Sequence, residues 1–133
     1  MRLKTYVVED NPTIRENLIA TLEELASVEV AGTTDNENDA KAWLNDSHNA
    51  WELAIVDLFL KQGSGLGVLH ACRERSPQQK VVVLSNYATA DIRKRCALLG
   101  ADAVFDKSNE IDALLDYCVE QCGNNPNAPI GSQ

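Results

Sequence analysis

Two short stretches of the chain are apolar at every position, and they restrict the fold more than any other feature. They span residues 53–56 and residues 81–84. A strand with one face in water alternates apolar and polar residues, so an unbroken apolar run of this length indicates a strand covered on both faces. The first run is followed directly by a carboxylate, Asp57. An ionised carboxylate among apolar residues is costly unless it has a partner, so the position of Asp57 calls for an explanation.

The rest of the chain alternates predicted strands with predicted helices. Further strands are expected at residues 3–8, 28–32 and 101–105, the second of them at an edge of the sheet. Helices are expected at residues 12–26, from residue 34 onward, from 64 to about 76, at 89–99 and at 111–122. This alternation predicts an α/β fold with a parallel sheet and helices on both faces. Residues 1–122 are expected to form the domain, and residues 123–133, rich in Asn, Pro and Gly, a flexible C-terminal tail.

Composition and charge narrow the classes of function. The 133 residues suffice for one domain with its own core. A net charge of −8 argues against direct binding to nucleic acid or to anionic lipid. No apolar run approaches the roughly 20 residues of a membrane helix, and the N-terminus has no signal-peptide pattern. We therefore expect a cytoplasmic protein without membrane contact. Its four cysteines form no Cys-x-x-Cys pair and are predicted to be small core residues.

Polar side chains follow four of the predicted strands at their carboxyl ends. Glu9 and Asp10 follow the first strand, Asp57 the third, Ser85 the fourth and Lys107 the fifth. The site of an open α/β sheet lies beyond these ends, so the five side chains are expected to share one pocket. Two carboxylates about 4 Å apart repel each other by roughly 4 kcal/mol at an effective dielectric constant of about 20. A divalent cation with oxygen ligands, Mg²⁺ in particular, would relieve that repulsion.

This set of groups is suited to phosphoryl transfer, in which catalysis consists mostly of positioning and charge neutralisation. Asp57 is the predicted nucleophile and would form an aspartyl phosphate. Asp10 and Asp57 would give oxygens to the Mg²⁺, and Glu9 would act directly or through water. The Ser85 hydroxyl and the Lys107 ammonium would each hold a phosphoryl oxygen.

Four motifs that contain these residues resemble a bacterial two-component response regulator receiver domain, over about residues 3 to 122. They are Val8-Glu9-Asp10-Asn11-Pro12, Val56-Asp57-Leu58 with Gly63 and Gly65, Leu84-Ser85-Asn86-Tyr87-Ala88, and Gly100-Ala101-Asp102 leading to Lys107. The resemblance implies a flavodoxin-like (βα)5 doubly wound parallel sheet of strand order 2-1-3-4-5.

The resemblance also implies partners and a role. A histidine kinase or a phosphotransfer protein would phosphorylate Asp57 in a Mg²⁺-dependent step, and the Phe59 backbone carbonyl would join Glu9, Asp10 and Asp57 as a metal ligand. The chain would be a signalling phosphoacceptor, not an enzyme, with at most self-phosphorylation and self-dephosphorylation. Phosphorylation would change binding to a downstream protein or output domain outside this chain, or favour a homodimer, through the fourth helix, fifth strand and fifth helix.

Two other interpretations stay open on sequence alone. A receiver-like binding module that no longer takes phosphate is motivated by Val104, where the family has its switch aromatic, and by Ser108, where it has proline. An aspartate-nucleophile phosphatase is disfavoured, because such enzymes commonly need a second acid two residues after the nucleophile, and Phe59 occupies that position. Tyr87, two residues after Ser85, is a candidate for controlling the access of water to the phosphate.

Overall fold

The computed structural model describes residues 2–124, and its architecture is the predicted one. Five parallel strands form one sheet in the order β2-β1-β3-β4-β5. The strands are β1 (Leu3–Val8), β2 (Val28–Thr34), β3 (Leu53–Val56), β4 (Lys80–Ser85) and β5 (Ala103–Asp106). The helices are α1 (Pro12–Leu25), α2 (Glu37–Asn45), α3 (Gly65–Ala71), α4 (Ala90–Leu98) and α5 (Ile111–Asn124). The flavodoxin-like strand order and the edge position of β2 are therefore confirmed.

Several element ends differ from the sequence-based prediction, among them the starts of α2 and β5, which lie at Glu37 and Ala103 and not at residues 34 and 101. The pairing of β1 with β2 continues to Val8 and Thr34, two residues beyond the predicted end of β2, since a β-branched threonine suits a strand. Helix α3 ends at Ala71, before the predicted end near Ser76. Helix α5 continues through Asn124, and the rest of the predicted tail lies outside the described residues.

The sheet separates two hydrophobic cores, and β3 contributes to both. Ala54 and Val56 contact the core under α2, α3 and α4, whereas Leu53 and Ile55 contact the core under α1 and α5. All four side chains are at most 1% exposed. The unbroken apolar run is thus required because β3 has no face in water. Among residues 2–124, no helix has both the length and the apolar character needed to cross a bilayer.

A guanidinium stabilises the edge of the sheet where β4 and β5 begin. The Arg75 side chain, 10% exposed, donates hydrogen bonds to the carbonyls of Cys72, Gln79 and Gly100 and to the Asp102 carboxylate at 2.7–3.0 Å. Asp102 in turn accepts the backbone N–H of Val81 at 2.8 Å. Arg75 therefore links the segment after α3 to the start of both strands.

Replacing Arg75 by alanine should lower the free energy of unfolding by about 2–4 kcal/mol, because three backbone carbonyls and the Asp102 carboxylate then lose their hydrogen-bond donor. Urea unfolding followed by circular dichroism measures the change. Arg73→Ala is the matched control: Arg73 is exposed, and its loss should change stability by about 0.5 kcal/mol or less. Equal losses in the two variants would contradict this role of Arg75.

Candidate functional site

Acidic and basic groups from three strand ends meet at the carboxyl edge of the sheet. Glu9 and Asp10 follow β1, Asp57 follows β3 and Lys107 follows β5. Carboxylate oxygens of Glu9, Asp10 and Asp57 lie within 4.8 Å of one another. The Lys107 ammonium donates to Asp57 Oδ2 at 3.0 Å and also to Glu9 Oε1. Four of the five residues predicted to share a pocket are therefore in one cluster.

Backbone hydrogen bonds one residue beyond each strand fix these positions. The parallel ladders do not stop at the last strand residue: the amides of Glu9, Asp57 and Lys107 donate to the carbonyls of Thr34, Val8 and Ser85, each at 3.0 Å. The backbone of Glu9, Asp57 and Lys107 is therefore fixed by the same hydrogen-bond pattern as the strands. Asn11 caps α1 by accepting the Ile14 N–H, so the helix begins directly after the two acidic residues.

One ammonium in this cluster faces three carboxylates. Glu9 is 2% exposed and Asp57 7% exposed. Burial raises the pKa of Glu9, and the hydrogen bonds from Lys107 and Asn11 offset this only in part. Burial alone would lower the pKa of Lys107, but the bonds to Glu9 and Asp57 outweigh it, so the pKa of Lys107 is raised. The two shifts thus have different main causes: burial raises the pKa of Glu9, and the two carboxylate partners raise the pKa of Lys107.

The donor set fits a hard divalent cation. Three carboxylates offer only oxygen ligands, the preference of Mg²⁺, and a doubly charged ion would cancel the excess negative charge. Asp10 Oδ2 also accepts the backbone N–H of Lys61 at 2.7 Å. Phe59, whose carbonyl is the expected further ligand, donates its own N–H to Asp57 Oδ1 at 3.2 Å. The backbone of the β3–α3 loop (residues 58–64) is therefore attached to two of the expected metal ligands.

An open cavity of about 190 Å³ leads to the cluster. Besides the four charged residues, its walls are Asn11, Ile14, Phe59, Asn86 and Tyr87. The rings of Phe59 and Tyr87 pack edge to face with centroids 5.1 Å apart, and both side chains are more than half exposed. We call this pair the aromatic rim. The sequence predicts a role for Tyr87 here. Asn86 enters the sequence analysis only as a member of a motif, and Ile14 does not enter it because nothing in its local pattern distinguishes it from other helix residues.

Ser85 is held differently from the charged residues. It is fully buried, and its hydroxyl accepts the backbone N–H of Tyr87 at 3.1 Å. The described residues that line the cavity do not include it. Its role as a ligand of a phosphoryl oxygen thus stays a prediction.

Val104 and Ser108, the two positions at which the sequence departs from the family's usual residues, lie near the site. Val104 packs against the core under α4, and Phe105 packs on the other side of the sheet, edge to face with Tyr117. The Ser108 N–H donates to Asp106 Oδ1 at 2.7 Å. The alternation of side chains along a strand accounts for the opposite faces of Val104 and Phe105. Neither departure separates Lys107 from the two carboxylates that it contacts.

Comparisons with known proteins agree with this geometry. The family model described as the response regulator receiver domain matches residues 5–118. The response regulator protein PilR of Pseudomonas aeruginosa is 29% identical over 113 residues, which are 85% of this chain and 24% of PilR. The photosynthetic apparatus regulatory protein RegA of Rhodobacter capsulatus is 33% identical over 96 residues, 69% of this chain and 47% of RegA. The chain thus spans less than half the length of either relative.

Solved structures share the fold. A LuxR-family DNA-binding response regulator from Staphylococcus aureus has a TM-score of 0.77 at 19% identity, covering 90% of this chain and 98% of that structure. The receiver domain of the putative response regulator NarL from Mycobacterium tuberculosis has a TM-score of 0.73 at 23% identity, covering 88% and 96%. At these identities the likeness shows the fold alone.

Proposed function

Because this chain belongs to the response regulator receiver domain family, we propose that Asp57 accepts a phosphoryl group in a phosphorelay. A histidine kinase or a phosphotransfer protein is the donor, and the cytoplasm is the compartment. One observation carries the proposal: the Asp57 carboxylate accepts a hydrogen bond from the Lys107 ammonium, lies within 4.8 Å of two other carboxylates and lines a cavity that opens to solvent. A structural aspartate would need a partner but not this excess of negative charge.

The transfer is a substitution at phosphorus. An Asp57 carboxylate oxygen forms the new P–O bond while the P–N bond to the donor imidazole breaks, and the imidazole nitrogen keeps that electron pair. Lys107, already in contact with Asp57 Oδ2, orients the carboxylate and offsets charge on the phosphoryl oxygens. Ser85 would hold another of those oxygens. In the later hydrolysis, water attacks phosphorus, inorganic phosphate leaves and the Asp57 carboxylate is restored.

Glu9, Asp10 and Asp57, with the Phe59 carbonyl, would hold a Mg²⁺. When bound, the ion supplies charge neutralisation for the phosphoryl oxygens. Glu9 is buried and Asp10 only partly so, and both line the open cavity, through which a phosphate would enter from solvent. The aromatic rim, whose two residues line the cavity, would limit the access of water to that phosphate.

The proposed output surface is the face formed by α4, β5 and α5. Arg93 of α4 donates to the Val104 carbonyl at 2.9 Å and forms an ion pair with Glu110. Glu110 also accepts the Asp106 N–H at 2.9 Å, next to Lys107. We propose that a shift of Lys107 toward a phosphoryl group would alter the pair of Arg93 and Glu110 through the neighbouring Asp106. We propose that this face binds a downstream protein, an output domain or a second copy of the chain.

Incubation with Mg²⁺ and acetyl phosphate, or with a phosphorylated phosphotransfer protein, tests the proposal. The intact mass should rise by one phosphoryl group, and chelation of Mg²⁺ should prevent the gain. Heat-denatured chain is the control, since it lacks the assembled site. A folded protein that gains no mass from either donor would contradict the proposal and favour a receiver-like binding module.

A further inference from the structure

Glu37, the first residue of α2, holds the β3–α3 loop from outside the candidate site. Its Oε1 accepts the backbone N–H of Ser64 at 2.8 Å. Its own N–H donates to the Gln62 carbonyl at 3.1 Å. Lys41, one turn along α2, contacts the other carboxylate oxygen at 3.3 Å. One residue of α2 is thus bonded to two points of the loop, and its carboxylate has partners for both oxygens.

Two glycines make room for the Glu37 side chain. A Cβ added at Gly63 would overlap Glu37 Cβ, and one added at Gly67 would overlap Glu37 Oε2. Gly63 has a φ of +90°, so its backbone also favours glycine. Gly67 lies inside α3, where glycine is a poorer helix former than alanine. The close approach of the Glu37 carboxylate explains why this helical position lacks a side chain.

The same loop is attached to the candidate metal ligands at its other end. Phe59 donates its N–H to Asp57, and Lys61 donates its N–H to Asp10. The Gly65 N–H donates to the Leu58 carbonyl at 2.9 Å and closes the loop. The loop therefore has two hydrogen bonds to the site, through Phe59 and Lys61, and two to Glu37 of α2, through Gln62 and Ser64. Loss of the Glu37 carboxylate would leave the Ser64 N–H without its acceptor and loosen this end of the loop, while Phe59 and Lys61 keep their bonds to the site.

We propose that Glu37 is a positioning residue for the phosphoacceptor site, because it fixes the loop that presents the Phe59 carbonyl. The inference rests on the proposed function, since Phe59 matters only if its carbonyl joins Glu9, Asp10 and Asp57 around Mg²⁺. Glu37 touches none of the reacting atoms: it acts through the Ser64 N–H and the Gln62 carbonyl.

Glu37→Ala and Gly67→Ala should each raise the dissociation constant for Mg²⁺ by about three- to tenfold, because both release the Ser64 N–H from its acceptor. Isothermal titration calorimetry with Mg²⁺ alone measures this constant. In metal-free protein, amide hydrogen exchange of residues 60–64 should quicken in both variants. Glu37→Gln keeps an oxygen for Ser64 and should stay within about twofold of the wild type.

The double variant gives the sharpest test. Gly67→Ala should have no further effect in the Glu37→Ala background, because the added methyl group then has nothing to displace. Gly123→Ala is the matched control for the glycine, since an added Cβ there meets nothing within 4 Å. Glu24→Ala, on the exposed face of α1, is the control for the carboxylate. Neither control should change the Mg²⁺ dissociation constant.

Unchanged Mg²⁺ dissociation constants in both single variants, with faster exchange in the loop, would overturn the proposal and leave Glu37 as a structural brace. Fully additive effects in the double variant would overturn it as well. A wild-type protein that binds Mg²⁺ but accepts no phosphate would contradict the proposed phosphoacceptor function alone. A wild-type protein that binds no Mg²⁺ would contradict both.

Discussion

Replacing Asp57 by asparagine should abolish phosphate uptake and leave the protein folded, with a stability within about 1 kcal/mol of the wild type or above it. The amide oxygen of asparagine is not a nucleophile for phosphorus, so no acyl phosphate can form. Lys107 keeps its contact with Glu9, and the substitution removes one of three mutually repelling carboxylates. Intact mass after incubation with Mg²⁺ and acetyl phosphate measures uptake, and urea unfolding without Mg²⁺ measures stability.

Asp91→Asn is the matched control, because Asp91 is exposed in the first turn of α4. It should take up phosphate as the wild type does. Mg²⁺ should also stabilise the wild type more than Asp57→Asn; at a concentration 100 times the dissociation constant the gain is about 2.7 kcal/mol. Phosphate on Asp57→Asn would show that another residue is the acceptor.

Replacing Lys107 by methionine should slow phosphorylation by roughly 100-fold or more, because the charge aimed at the phosphoryl oxygens is lost. The same change should lower the free energy of unfolding by about 2–4 kcal/mol near neutral pH, since Glu9 and Asp57 then lie buried without their cation. Lys94→Met on the exposed face of α4 is the control and should change neither quantity. Phosphorylation time courses and urea unfolding provide the measurements.

The pH dependence of stability gives this substitution a second, independent signature. The hydrogen bond from Lys107 lowers the pKa of Glu9, which burial has raised; without it that pKa should rise further. A carboxyl group with a folded-state pKa above its unfolded value binds more protons when folded, so stability falls as pH rises through the folded-state pKa. Lys107→Met should therefore regain stability on acidification, and more steeply than the wild type does. A flat profile would contradict the burial of an unpaired Glu9.

In strongly alkaline solution the free energy of unfolding of the wild type should fall, because Lys107 loses its proton. The pKa of Lys107 is raised above its ordinary value of 10.5, so its contribution is fully present below that value and is lost as pH rises through the folded-state pKa. The methionine variant lacks this alkaline loss. Unfolding curves of the two proteins should therefore approach each other in strongly alkaline solution.

The candidate site was predictable from sequence because its geometry follows from strand direction. The apolar run at residues 53–56 fixed a central strand, and parallel strands place their following residues at one edge. Asp57, Glu9 and Lys107 needed no further information to be brought together. The orientation of the Ser85 hydroxyl could not be predicted from strand direction, since it depends on the turn in which this hydroxyl accepts the Tyr87 N–H.

Side-chain contacts between separate helices and strands could not be predicted from the sequence in this way. Glu37 resembles any acidic residue in the first turn of a helix, where it suits the helix dipole. Gly67 resembles a weak position in a short helix. Only the packing of α2 against α3 shows that the two residues depend on each other. Arg75 and Arg93 are similar cases, because a long side chain that reaches distant carbonyls has no periodic signature.

The division of β3 between two cores makes the length of this strand as critical as its composition. Side chains alternate between the α1–α5 side and the α2–α4 side, so a one-residue insertion or deletion would exchange the two sets. The small Ala54 would then face the space shaped for Ile55, and Asp57 would lose the hydrogen bond from its N–H to the Val8 carbonyl. Natural length variation is therefore expected in the connecting turns, whereas these four positions should tolerate substitution by similar apolar residues but no gap.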